Sequence, residues 1–369
     1  MTNHIKTCFG GRFEGRTVLV TGHTGFKGSW LCLWLHLMGA KVVGYSLPAP
    51  TSPNHFDLLD LEIQSHIDDV KNLQSLSRVF EQVQPEIVFH LAAQPLVRLS
   101  YQEPVETFTS NLDGTVNVLE AARRVSSIGA IVCVTSDKVY ENQESETGYC
   151  ESDPLGGADP YSASKACCEL IVKSYRDSFF SNNSSGNQNS TLIATARAGH
   201  VFGGGDWAAD RLVPDAVRAA AAGKSMELRN PGSVRPWQHV LEPLTGYLLL
   251  ADRLLQGDRD LATAINFGPN PEGNVSVSAL VDQMKLTWPE VTWSSPNLNS
   301  GPHETNILKL DSGFARRALG WTPVWNWQRA VERTTQWYRN YYESKHVDTV
   351  EDLGQFVRDA EALGMEWAA

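Results

Sequence analysis

An α/β fold built on a doubly wound parallel sheet is what this sequence predicts, on three observations. Short apolar runs alternate with longer helical runs through the first half of the chain. A glycine-rich segment joins the first run of each kind. One central run, "IVCVTSDKVY" (131–140), starts as a buried strand and ends in four polar residues, Thr135 to Lys138, which mark either a solvated loop end or the working edge of a sheet.

The elements follow in order. Residues 1–14 read as a loose arm. "RTVLVTG" (16–22) is a short strand running into glycines. "SWLCLWLHLMGA" (29–40) is apolar nearly all round and reads as a buried helix stopped at Gly39. "KVVGYSL" (41–47) is the next strand, which completes a βαβ unit. Helix 72–83, with Pro85 after it, strand 86–93, helix 111–125 and strand 130–136 continue the alternation. Helix 162–180 precedes the polar, low-complexity stretch "SNNSSGNQNS" (181–190), which reads as a floppy surface loop before strand 191–199. Beyond about residue 197 Pro, Gly and Trp rise and the pattern loosens. The expected organisation is an arm (1–14), a sheet domain (15–196, with a return segment near 234–256) and a smaller mixed α/β domain drawn mainly from 197–369. Within the latter, 312–343 reads as two helical stretches around a Trp-Pro turn.

Composition narrows the function. With a formal net charge of -11 over 369 residues and no dense Lys/Arg block, nucleic acid is an unfavourable partner. No run reaches the length of a membrane span, and "MTNHIKTCFGGRFEGR" lacks an apolar signal core. The six cysteines form no C-x-x-C pair, so free thiols in a reducing, cytoplasmic setting are expected. No His/Cys/Asp/Glu cluster stands at metal-ligand spacing, so no metal is expected.

"TGHTGFKG" sets Gly22, Gly25 and Gly28 between the first strand and the first helix, with a second strand in range. Gly22 permits a tight turn, Gly25 lets backbone approach a pyrophosphate at the helix N-terminus, and Gly28 lets helix pack on strand. This is a Rossmann-type dinucleotide site, in which Thr24, Phe26 and Lys27 complete the loop. The acid expected at the end of the second strand is missing. Ser46 stands there and the next acid is Asp57, so this strand leaves NAD or NADP open.

"DPYSASKACCE" places Tyr161 and Lys165 four apart on one helix face. Free tyrosine, with a pKa of about 10, is a poor base at neutral pH, and a nearby ammonium favours its phenolate. Such a pair can take the proton of an alcohol as hydride leaves its carbon. Together with the glycine loop it is specific.

The chain resembles the extended short-chain dehydrogenase/reductases, the family of NAD-dependent nucleotide-sugar epimerases and dehydratases. The resemblance rests on "VTGHTGFKGSWL", "HLAAQPLVRLSY", "TSDKVY", "RAGHVFGGGDWAADRLVPD" and "RPWQHVLEPLTGYLLLA" and runs from "VLVTG" to "RAVERTTQWY". The dTDP-glucose and GDP-mannose branches carry Asp-Glu after the Ser/Thr. Asp137-Lys138 is the pattern of the CDP-glucose branch. The resemblance therefore implies dehydration of a nucleotide sugar, CDP-glucose, with a cofactor reduced and reoxidised in one turnover; the alternatives are a dehydratase or C4 epimerase acting on another nucleotide sugar, or a non-catalytic nucleotide-binding protein.

It also implies roles. Tyr161 with Lys165 takes the 4-hydroxyl proton and Ser136 shares it. Asp137 protonates the departing 6-hydroxyl, and Lys138 serves C5, where sister branches use glutamate. Ala92, Ala93 and Gln94 line the nicotinamide side, and Asp69 matches the adenine-contacting acid. Arg211 and Arg235 match the diphosphate arginines, and His303 reaches toward the nucleotide. His200 stands where most relatives carry an asparagine near the sugar diphosphate. Helices 111–125 and 162–180 pair with copies of themselves, implying a homodimer or dimer of dimers.

Overall fold

The structure is a computed structural model that describes residues 3–145, 147–180, 191–295 and 307–369. Seven strands form one parallel sheet: β1 (Thr17–Thr21), β2 (Lys41–Ser46), β3 (Gln64–Ile67), β4 (Ile87–His90), β5 (Ala130–Val134), β6 (Leu192–Arg197) and β7 (Ala264–Asn266). Their spatial order is β7-β6-β5-β4-β1-β2-β3. The register aligns Leu19 with Val88, Val88 with Ile131 and Ile131 with Ile193.

The strands read as continuous apolar runs because both faces of the sheet are covered. Val18, Val20, Phe89 and Val132 join one apolar cluster, while Leu19, Val88, Ile131 and Ile193 join the other. That is the two-residue period of a strand divided between two cores. Each such side chain, fully buried, contributes about 1.5–3 kcal/mol relative to exposure.

The expected α/β sheet is present, with local differences. Helix α1 (Phe26–Leu37) begins at Phe26 rather than Ser29, because the last turn of the glycine loop is already helical with Gly25 as its N-cap. Helix α2 spans Leu73–Val83. The run 111–125 is a π-turn, Thr109–Asp113, followed by helix α3 (Gly114–Arg123). The run 162–180 is helix α4 (Pro160–Tyr175) closed by a second π-turn, Arg176–Phe180. Strand β3 escaped the sequence reading because "QSHI" is a short, largely exposed edge without an apolar run. The stretch 181–190 lies outside the described residues.

The N-terminal arm is not loose. A short helix, Asn3–Thr7, leads into buried Cys8, Phe9 and Phe13, and Phe9 stacks on Trp367 with ring centroids 5.4 Å apart. Arg12 makes a bidentate ion pair with Asp252. Polar composition hid an anchor built from a few aromatic residues.

After β6 the described residues form three two-stranded pairs, one of which joins Val234–Pro236 to Asn274–Ser276. Helices α5 (Leu212–Ala221), α6 (Leu241–Leu255), α7 (Val277–Thr287), α8 (Trp327–Ser344) and α9 (Thr349–Ala362) accompany them. Helix α6 packs on β5 and β6, and β7 then extends the sheet, so the chain returns to the sheet through Asn266. The apolar cluster on that face runs from Ile5 to Ala368 across both halves of the chain.

Candidate active site

Strand order reverses between β1 and β4, and their carboxyl ends open the crevice where such sheets bind ligands. Gly22 turns there with φ +76°, and a Cβ on it would meet the Ala92 backbone nitrogen at 2.7 Å. A Cβ on Gly28 would lie 2.0 Å from the Gly22 oxygen. Glycine is required at both positions by contact, and the N-terminus of the 12-residue α1 rises from between them. Gly25 is less crowded, with 3.3 Å to the same oxygen.

The other loop residues divide. Thr24 is buried against β2, with its hydroxyl 2.8 Å from Ser46 Oγ and donating to Leu47 O. Ser46 also meets His23 Nδ1, so this hydroxyl is already engaged where an acid was expected. Phe26 packs on the main core. Lys27 is no solvated lysine: burial, then the Arg211 charge, pushes its ammonium down to about 7 against the pull of Asp137.

Beyond β4, Ala92, Ala93 and Gln94 are partly exposed. The Gln94 amide is committed locally, donating to Thr107 Oγ1 and Leu96 O and accepting from Leu96 N. Asp69 follows β3, accepts from Lys71 N at 2.9 Å and pairs with Lys71 Nζ at 3.4 Å.

At the end of β5 the four polar residues separate by role. Thr135 turns inward and donates to Glu169, which also accepts from Thr195 and pairs with Arg197 at 2.9 Å, a buried network beneath the strand. Ser136 accepts from Lys138 N and so caps the single turn Asp137–Val139. Its hydroxyl donates to Asp137 Oδ1 at 3.1 Å. Asp137 is buried, and burial raises its carboxyl above the ordinary value against Lys138, Ser136, Lys27 and Arg235. Lys138 is partly exposed.

Helix α4 starts with Asp159 as N-cap, accepting from Ser162 N, and Pro160 in its first turn. Tyr161 is thereby aimed at Ser136, and Lys165 sits one turn on, its Nζ donating to Val134 O at 3.3 Å. The expected fall in the phenol's pKa is reversed here. Burial pushes Tyr161 up to about 12, and Asp137 adds to it, outweighing the Ser136 hydrogen bond and the Arg211 charge. A phenolate taken out of water loses more than the pair's spacing returns. Burial pushes the Lys165 ammonium down as well.

His200 comes in from beyond β6 in left-handed backbone, φ +49°. Its Nε2 lies 3.5 Å from Asp137 Oδ2, so it faces the carboxyl that sequence reasoning gave to another step. Gly199 makes the approach possible: a Cβ there would fall 2.0 Å from both carboxyl oxygens. Arg211 pairs with buried Asp206 at 3.1 Å, and buried Arg235 acts by charge on both Asp137 and His200. His303 lies outside the described residues.

Sequence reasoning missed Gly199, Asp206 and the Glu169–Arg197 pair. A glycine between a strand end and a histidine was the one available signal. The fold also gathers His346, Asp348 and Glu351, with ligand atoms within 4.8 Å, a grouping the spacing did not suggest. His346 and Glu351 are exposed, and the Asp348 carboxylate is shared with Asn340, as in an ordinary surface ion pair.

The comparisons with known proteins agree with this fold. The GDP-mannose 4,6 dehydratase family matches residues 19–334. A CDP-glucose 4,6-dehydratase of Salmonella typhimurium is 47% identical over 338 residues, covering 91% of this chain and 94% of that protein. A dTDP-glucose 4,6-dehydratase of the same organism is 23% identical, covering 87% and 92%. Among solved structures, dTDP-glucose 4,6-dehydratase of Bacillus anthracis in complex with NAD aligns with TM-score 0.72 at 21% identity, covering 89% and 98%. UDP-glucose 4-epimerase of Thermus thermophilus in complex with NAD aligns with TM-score 0.73 at 21% identity, covering 88% and 99%.

Proposed function

Because the chain belongs to the GDP-mannose 4,6-dehydratase family, we propose that it is a lyase converting CDP-D-glucose to CDP-4-dehydro-6-deoxy-D-glucose and water. The cofactor is NAD. The residues fit it: the glycine cradle at Gly22 and Gly28 leaves no room for a side chain, and α1 opens onto the crevice. Gly22, Thr24, Gly25, Phe26, Lys27, Gly28, Asp69, Ala92, Ala93 and Gln94 form its binding wall, Thr24 and the Gln94 amide by bracing the loops. Held by these residues, NAD would supply the hydride acceptor for C4, the hydride donor for C6 and a positive charge that favours the Tyr161 phenolate.

One observation carries the reaction type: a buried aspartic acid, Asp137, held toward its protonated form beside Ser136 and Tyr161. An epimerase acting at C4 needs no acid at the 6-hydroxyl. A dehydratase does, and a carboxyl that keeps its proton can supply one.

The steps divide among the chain's residues. Tyr161 takes the proton of the 4-hydroxyl, with Ser136 holding that oxygen. The resulting ketone acidifies C5–H. Lys138, which acts as a base only when neutral, removes that proton. The electron pair forms the C5–C6 double bond as the C6–O bond breaks, and Asp137 gives its proton to the leaving oxygen to make water. Lys138 then returns its proton to C5, and the 4-hydroxyl proton restores Asp137. Arg211 and Arg235 hold the diphosphate through their planar donor forks.

The same reading includes a homodimer or dimer of dimers through residues 111–125 and 162–180, and a cytoplasmic location. Leu170 and Phe179 are exposed on that surface and support the assembly. All six cysteines are free, which fits a reducing compartment. The deciding test incubates the protein with CDP-, dTDP-, UDP- and GDP-sugars and assays for a 4-keto-6-deoxy product. The expected result is product from CDP-glucose, and none from it overturns the reading.

A further inference from the structure

Two buried polar atoms face each other in this site with no other partner: Asp137 Oδ2 and His200 Nε2. They are 3.5 Å apart, just outside a formed hydrogen bond. Buried polar groups are normally paired, so each is the other's natural partner.

The direction of that bond follows from its surroundings. Ser136 donates to Oδ1, which makes Oδ1 the accepting oxygen and leaves Oδ2 to carry the acid proton. Burial first, then the charges of Arg235, of Lys138 when it carries its proton, and of Arg211, hold His200 neutral. Around the carboxyl stand Lys138, Lys27 and Arg235, with the phenols of Tyr161 and Tyr247 also within its field. A neutral imidazole nitrogen is a strong acceptor and a carboxylic O–H a strong donor.

We propose that His200 is the positioning residue of the general acid: its neutral Nε2 accepts the proton on Asp137 Oδ2 and so holds Asp137 in its acid form. This rests on the dehydratase reading for its catalytic consequence, but not for the contact itself. An asparagine at this position can turn its amide N–H to the carboxyl and favour the carboxylate instead. The histidine therefore extends dehydration to higher pH in this chain. As Oδ2 gives its proton to the leaving 6-oxygen, the Nε2 contact is released, and it re-forms when the carboxyl regains a proton.

The test uses His200→Asn in the cofactor-loaded enzyme. Asparagine suits the left-handed backbone at this position, and His200→Gly, free of strain there, is the second variant. The elimination rate of wild type falls as pH rises through the Asp137 pKa. In both variants that alkaline limb moves down by about one pH unit, while C4 oxidation keeps its own profile. A limb that stays put or moves up overturns the proposal. The second readout needs no substrate: the infrared C=O stretch of the protonated carboxyl, assigned by its loss in Asp137→Asn, is titrated in wild type and in His200→Asn. The expected midpoint is lower in the variant, and equal midpoints overturn the proposal. Failure of wild type to turn over CDP-glucose overturns the dehydratase reading alone, because the infrared titration still decides the contact.

Discussion

Gly199 lies so close to Asp137 that a Cβ built on it would fall 2.0 Å from both carboxyl oxygens. The backbone beyond β6 is thus one wall of the Asp137 pocket. Gly199→Ala must push the carboxyl aside, with a stability loss of about 1–3 kcal/mol from overpacking. Dehydration falls by roughly 10²–10⁴-fold, the usual contribution of a positioned acid, while the cofactor is still reduced by substrate. Cofactor absorbance in a single turnover, set beside product release, separates the two effects.

Lys138 is tested by isotope exchange. In Lys138→Ala the bound cofactor is reduced on adding CDP-glucose, but the C5 proton does not exchange with deuterated water, as followed by NMR. Full exchange in that variant assigns the C5 base elsewhere in the site.

The place of Lys27 in the proposed NAD wall predicts a pH-dependent cofactor affinity. Its ammonium is pushed down to about 7 by burial and by Arg211. The protonated form attracts a pyrophosphate and the neutral form does not, so NAD affinity is highest below about 7 and weakens as pH rises beyond it. Lys27→Met binds more weakly at pH 6, and its affinity is flat across the same range. Calorimetric titration of each protein from pH 6 to 9 checks this.

Glu242 sets a pH dependence of stability. Its carboxyl accepts from Val324 N and Trp325 N, yet burial pushes it up to about 8 from an ordinary 4.5. A raised folded value means the unfolded chain releases the proton first. Stability is therefore greatest below about 4.5 for this group and declines as pH rises toward about 8. In Glu242→Gln that contribution is absent. Thermal unfolding from pH 5 to 8 should show a shallower decline in Tm, with the variant about 1–2 kcal/mol less stable at pH 5 because one backbone N–H loses its acceptor.

Much of the site was legible in the chain because its signals are local. The glycine spacing at 22, 25 and 28 encodes a turn and a helix start. The step from Tyr161 to Lys165 is one helical turn, and "IVCV" followed by Ser136 and Asp137 is a strand meeting its cap. The aromatic anchor of the N-terminal arm was not legible, since its partners Trp34 and Trp367 stand far along the chain. Nor was the committed amide of Gln94, whose acceptor Thr107 belongs to a later helix.

By itself, then, the sequence determined the βαβ alternation, the glycine cradle, the Tyr161–Lys165 pair and the polar end of β5. These are statements about periodicity within one stretch of chain. Tertiary structure alone decided the protonation of those groups and the partner of Asp137. A pKa depends on water removed and charges brought near, and Lys27, Asp137, His200, Arg211 and Arg235 come from five separate segments. Burial reversed the expected sign at Tyr161 and pulled the Lys27 ammonium down to about 7. It also set His200, from the far side of β6, against a carboxyl at the end of β5.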